Sequence, residues 1–222
     1  MIVLMSAFLL LSAFSCGGGN KANSTSEQDE KTVVNVPQFD ADSAYLYVKN
    51  QVDFGPRVPN TKEHVACGNY LAGQLEAFGA QVTNQYADLI AYDGTLLKAR
   101  NIIGSYKPES KKRIALFAHW DTRPWADNDS DEKNHKTPIL GANDGASGVG
   151  ALLEIARLVN QQQPELGIDI ILLDAEDYGA PQFYTGQHKE EFWCLGSQYW
   201  ARNPHVQGYN ARFGILLDMV GG

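Results

Sequence analysis

Apolar positions along the chain fall into two periods, and the change of period marks the elements. Ala44, Val48 and Val52 recur at helical spacing after Asp40 and Asp42, either of which can cap a helix over residues 40–52. A second helix is expected from Thr61 as N-cap, with Val65, Leu71, Leu75 and Phe78 as its apolar face and Gly79 at its end. Residues 146–159 carry Val149, Leu152, Leu153, Ala156 and Val159 on one face, and residues 195–202 read as a short helix. Between these lie strand patterns. Residues 80–89 alternate, residues 97–106 follow, and the two are expected to be neighbours at a sheet edge. Residues 168–173 are a continuous apolar run of the kind found in strands buried on both faces, residues 114–117 read as a buried strand, and residues 213–220 as the last strand. Strands alternating with helices in this way predict an α/β fold with a largely parallel sheet.

Chemistry-bearing residues gather where the apolar runs stop. The run at residues 168–173 ends on Asp174, Glu176 and Asp177, the run at 114–117 delivers His119 and Asp121, and the last strand delivers Asp218. Asp144 sits in the Gly-rich turn GANDGASG just ahead of a helix. Ligands of open α/β sheets bind beyond the carboxyl ends of the strands, so these ends are expected to converge on one metal site. A catalytic zinc takes three protein ligands from His and carboxylates and keeps one position open. His119, Asp144, Asp177 and Asp218 are the donors on offer, and Glu176 beside Asp177 is placed to act as a general acid and base.

Each residue also has a structural explanation. Asp144 can cap the helix that follows it, and His119 can be a hydrogen-bonded core residue. Asp174 reads as a salt-bridge partner. Asp127, Asp129, Asp131 and Glu132 read as a solvated loop, and His135 and His188 as surface residues. Asp218, following an apolar run, needs a partner or a metal if it is buried. The combination carries the argument: solvation alone does not account for acids at three strand ends and one glycine-rich turn.

The 222 residues suffice for one sizeable core, and a formal net charge of −8 with no basic stripe excludes nucleic acid as a partner. Three cysteines do not make a disulfide framework. Cys67 and Cys194 are either a pair in an oxidising compartment or two separate buried thiols. The N-terminal MIVLMSAFLLLSAFSC is too short to span a bilayer and reads as an export signal. It resembles a bacterial lipoprotein signal with Cys16 as the lipid-bearing residue; the alternative is an ordinary cleaved signal in which Cys16 is incidental. Residues 17–35 are expected to be a flexible linker and 36–222 a catalytic domain.

Four segments taken together, AHWDTRPWAD, GANDGASGVGALLEIARL, DIILLDAEDYG and GILLDMVGG, resemble the M28 metallopeptidase superfamily. FGPRVPN, ARNIIGSY, the HWD box and CLGSQYWA are similar to its glutaminyl-peptide cyclotransferase branch, in particular the bacterial enzymes of animal type. The resemblance implies a zinc-peptidase-like, three-layer α/β/α sandwich around a mixed sheet, incomplete at the C-terminus of this chain. It implies that Asp144 and Asp177 bind zinc, that Glu176 is the general acid and base, and that Asp218 holds or relays a proton. His119 would ligate a second metal in an aminopeptidase but not in a cyclase. The remaining zinc ligand of both branches is a histidine further downstream, which no residue of this chain matches. The implied reaction is conversion of an N-terminal glutamine to pyroglutamate with release of ammonia, using one zinc. The alternatives are a two-zinc aminopeptidase and a non-catalytic exported binding lipoprotein. Peptide or protein N-termini are the implied partners of an exported monomer that meets the membrane only through its lipid anchor, facing the periplasm or the cell surface.

Overall fold

The computed structural model of the protein describes residues 35–221. The N-terminal apolar run and Cys16 lie outside the described residues, as does most of the expected linker. No helix among the described residues is long and apolar enough to cross a membrane.

Helix α1 (Ala41–Asp53) starts where the Asp40 carboxylate accepts a hydrogen bond from the Ser43 amide at 3.1 Å. Helix α2 (Lys62–Ala77) starts in the same way, with Thr61 Oγ1 accepting from the His64 amide at 3.2 Å. Its end closes through an Ala80 N–H bond to the Leu75 carbonyl, which Gly79 permits by taking φ +79°. The buried face of α2 matches the expected one at Leu71 and Leu75 and departs from it at Val65. Val65 is 56% exposed, and His64, Cys67 and Ala72 face inward with the two leucines. The cause is His64, whose ring stacks on Trp120 at 4.3 Å and meets the Asp174 carboxylate at 2.8 Å. Those contacts put His64, and not Val65, on the inner side of the first turn.

Strands β1 (Gln81–Ile90), β2 (Leu96–Tyr106), β3 (Arg113–His119), β4 (Gly167–Leu173) and β5 (Gly214–Leu216) form one sheet in the order β1-β2-β4-β3-β5. The sheet is mixed, but it is less parallel than the apolar runs suggested. β1 pairs antiparallel with β2, and β2 antiparallel with β4, whereas β4, β3 and β5 run parallel. A short turn at residues 91–95 joins β1 to β2, and only an antiparallel pair can be joined so tightly. β1 is the expected edge strand. The last strand is also shorter than expected. Pairing ends with the Leu217 amide on the Phe117 carbonyl at 2.8 Å, and Met219 at φ +48° turns the chain away.

Alternation along the strands divides the core. Ile102, Leu116, Ala118, Ile168, Ile170 and Leu172 face α2 and α3 (Ala146–Gln161), with α1 packed on α3. Ile103, Ala115, Ile171 and Leu173 face the opposite side, where Trp200 of α4 (Leu195–Arg202) and Tyr209 cover them. The arrangement is a three-layer α/β/α sandwich. Because β3 lies between β4 and β5, with α3 on one face and α4 on the other, a crevice opens beyond its C-terminal end. Cys67 and Cys194 are both free thiols, as in the reading that kept them separate.

Candidate metal centre

His119 is the last residue of β3 and is almost fully buried, so its imidazole must find partners in the crevice. Its Nε2 lies 2.8 Å from Asp144 Oδ1 and 3.5 Å from Asp218 Oδ1. Its Nδ1 faces Asp121 Oδ1 at 3.5 Å without forming a hydrogen bond. Burial alone would lower the His119 pKa, but the close carboxylates of Asp121 and Asp144, with the charge of Asp177 beyond them, override it, and the ring is pushed up to about 12.

β4 ends at Leu173, and the next four residues do three different jobs. Asp174 is buried and points back into the fold. It meets His64 at 2.8 Å and accepts from the Arg100 amide at 2.6 Å and the Ala175 amide at 2.7 Å. This is the ion-pair role expected of it. Ala175 takes φ +52°, a left-handed conformation uncommon for a residue with a Cβ, and reverses the chain. The amides of Glu176 and Asp177 then donate to the two oxygens of Asp121, at 3.0 and 3.1 Å. Asp121 is therefore the residue that presents both acids to the crevice. Its place at the end of β3 was legible in the sequence; its role was not, because it acts through main-chain amides more than 50 positions away.

Asp144 reaches the same point from the turn before α3. Gly145 stands between it and the helix at φ +88°, and a Cβ there would come 2.8 Å from the Asp121 carbonyl and 3.2 Å from His119 Cε1. The Asp144 side chain does not cap α3, which has no side-chain N-cap bond. Behind this turn the fully buried Arg57 guanidinium donates to the carbonyls of Trp120 (3.1 Å), Leu140 (2.6 Å) and Gly141 (2.8 Å). It ties the end of β3 to the turn that carries Asp144.

Two groups of donors result. Ligand atoms of His119, Asp144 and Asp177 lie within 4.8 Å of one another, as do those of His119, Glu176 and Asp218. Asp177 Oδ2 is buried with no hydrogen-bond partner. Burial, and then the nearby Asp121 charge, push the Asp177 carboxyl up to about 8, and burial also raises Glu176. Acids this close, one with an orphaned oxygen, fit a divalent cation: it supplies the missing partner and cancels the repulsion. All five residues assigned to the site from sequence are thus brought together: His119, Asp144, Glu176, Asp177 and Asp218. Among the described residues no second histidine joins them. His64 and His205 lie elsewhere in the fold, and His135 bonds to the Asp129 carbonyl. His188 is exposed, as expected, at the rim of a cavity of about 320 Å³ that Asp144, Asp177, Arg123 and Trp193 line. Asp127 departs from its expectation. It is 5% exposed and paired with Arg123 at 2.6 Å, whereas Asp129, Asp131 and Glu132 are solvated as expected.

Residues 101–222 match the model of peptidase family M28, a span that includes every residue of the centre. The chain belongs to peptidase family M28. A glutaminyl cyclase of Bacteroides thetaiotaomicron, solved bound to N-acetylhistamine, is 95% identical, with a TM-score of 0.84 over 85% of this chain and 64% of that one. A structure from the same organism described as a leucine aminopeptidase precursor is also 95% identical, with a TM-score of 0.85 over 86% of this chain and 66% of that one. A zinc-dependent exopeptidase of Parabacteroides distasonis is 64% identical, with a TM-score of 0.83 over 84% of this chain and 64% of that one. The chain thus spans less than two thirds of the length of each of these M28 relatives.

Proposed function

We propose that the protein is a zinc-dependent glutaminyl-peptide cyclotransferase, which closes an N-terminal glutamine into pyroglutamate and releases ammonia. The observation that carries this reading is the 95% identity to a glutaminyl cyclase over 85% of this chain. Asp144 and Asp177 would hold the zinc, and the orphaned Asp177 oxygen supports that role. Zinc, when bound, supplies Lewis acidity toward the γ-amide carbonyl.

The chain's own residues account for the proton traffic. The substrate's α-amine nitrogen bonds to its own γ-amide carbon, the carbon–nitrogen bond of the amide breaks, and ammonia leaves. Glu176 takes the proton released by the amine and delivers one to the departing nitrogen. Burial raises its pKa above the usual carboxylate value, the direction that suits a group that must both accept and donate. Asp121 fixes the direction of Glu176 through its amide. Asp218, 3.5 Å from His119 Nε2, is placed to hold a proton beside Glu176. Trp193 lines the cavity and would offer an apolar wall against water that competes for the amide. Trp120 takes no part in this, since it is fully buried under His64.

A second reading has its own support. The group His119, Glu176 and Asp218 offers donors for a second metal, and a relative at 95% identity is described as a leucine aminopeptidase precursor. Incubating the full-length protein with a Gln-initiated peptide and following its mass separates the two. Loss of one ammonia with the chain length unchanged is the expected result. A peptide shortened by its first residue would replace the cyclase with the aminopeptidase.

We also read the run ending at Cys16 as directing export with a lipid anchor, so that peptide N-termini would be met outside the cytoplasm. Replacing Cys16 with Ser should release the protein from the membrane fraction.

A further inference from the structure

Arg123 and Asp127 lie in the long loop after β3, which the sequence presents as acidic and solvated. The structure buries them. Their side chains are 12% and 1% exposed, and the guanidinium grips the carboxylate with both prongs, Nε to Oδ1 at 2.7 Å and Nη2 to Oδ2 at 2.6 Å. A paired, planar guanidinium of this kind is pre-organised and loses little entropy in making further bonds. Its other side-chain hydrogen bonds all lead one way. Nη1 donates to the carbonyl of Asp177 at 3.1 Å and to that of Gly179 at 3.4 Å, and Nη2 reaches the Ala180 carbonyl at 3.5 Å. Asp127 Oδ2 accepts the Gln182 amide at 2.8 Å. The Trp193 ring lies 4.8 Å from the guanidinium carbon and packs against Gly179, so tightly that a Cβ there would come within 2.0 Å of the indole. The pair therefore holds residues 177–182 at several points immediately beyond the two acids.

We propose that Arg123 and Asp127 form a latch that sets the direction of the Asp177 carboxylate, and that they are positioning residues for the metal. Asp121 fixes Asp177 from its amide side and Arg123 from its carbonyl side, so the peptide planes on either side of the ligand are both held. Residues that orient metal ligands without touching the metal have large effects on affinity, since a loosened ligand must be re-ordered each time the metal binds. The inference rests on the reading of Asp177 as a metal ligand.

Competition of the full-length protein for zinc against a chelator tests it without any substrate. Arg123→Lys keeps the charge but loses the fork, and Asp127→Asn keeps the shape but weakens the grip. Each is expected to raise the zinc dissociation constant by about 10- to 100-fold. The double variant should be no worse than the poorer single, because one latch is broken either way. Far-ultraviolet circular dichroism of the same metal-free samples, recorded well below their melting temperatures, restricts the comparison to folded protein. If Arg123→Lys does not fold, Asp127→Asn carries the test alone. Wild-type affinity in the folded variants overturns the latch and leaves the metal reading standing. A wild-type protein whose zinc binding is insensitive to Asp177→Asn overturns both.

Discussion

Buried carboxylates stand near the start of strand β4 and in the turn beyond its end, and the two are treated in opposite ways. At the start, Asp169 is fully buried and completely satisfied. Arg113 donates to it twice, at 2.5 and 2.7 Å, Ser105 Oγ at 2.7 Å and Tyr209 Oη at 2.8 Å. At the far end, Asp177 is left with a buried oxygen that nothing bonds, and burial with neighbouring charge raises its pKa. Asp174 lies between the two in sequence but belongs with Asp169, since His64 and two amides complete its shell. A buried charge is tolerated when it is paired and hydrogen-bonded, and is costly otherwise. The two satisfied acids hold the fold together. The unsatisfied one is retained at a cost, which the proposed role of Asp177 as a metal ligand would explain.

Substitutions sharpen the contrast when stability and chemistry are measured on the same variants. The largest effect is expected at Glu176. Glu176→Gln keeps the size of the side chain and removes the proposed acid–base group, so turnover should fall by about 10²- to 10⁴-fold while zinc content stays unchanged. Near-normal turnover in that variant would place the proton transfer elsewhere. Next comes Asp169→Ala, which leaves the Arg113 guanidinium without its buried partner. Denaturant unfolding should show a loss of about 3–5 kcal/mol, with zinc affinity retained in the folded fraction. Loss of zinc without loss of stability would erase the distinction between the two ends of β4. Tyr209→Phe removes one of the four donors to Asp169 and leaves the ion pair, so about 1.5 kcal/mol of stability should disappear.

The same contrast explains what could be read in the sequence. Helix α4 was legible to the residue, and the Thr61 and Asp40 caps were legible because a cap acts within three positions. The convergence of His119, Asp144, Glu176, Asp177 and Asp218 was legible too, because strand ends in an α/β sheet point to one crevice. Partners distant in sequence were not. In the first turn of α2 His64 and not Val65 faces inward because Asp174 waits 110 positions later, which no periodicity in the helix can report. Asp127 looked solvated among its acidic neighbours, because what buries it is contact with residues 177–182, brought alongside only by the fold. Arg57 and Asp121 escaped for a related reason: both act on main-chain groups, which leave no mark in side-chain composition.

The most direct test of the account counts metal. Zinc would be measured per chain in the full-length wild-type protein and in Asp144→Ala, each after dialysis against metal-free buffer. The account predicts one zinc per chain in the wild type and none in Asp144→Ala. Two zincs in the wild type would contradict the single-metal cyclase, and full occupancy in Asp144→Ala would contradict the metal centre itself.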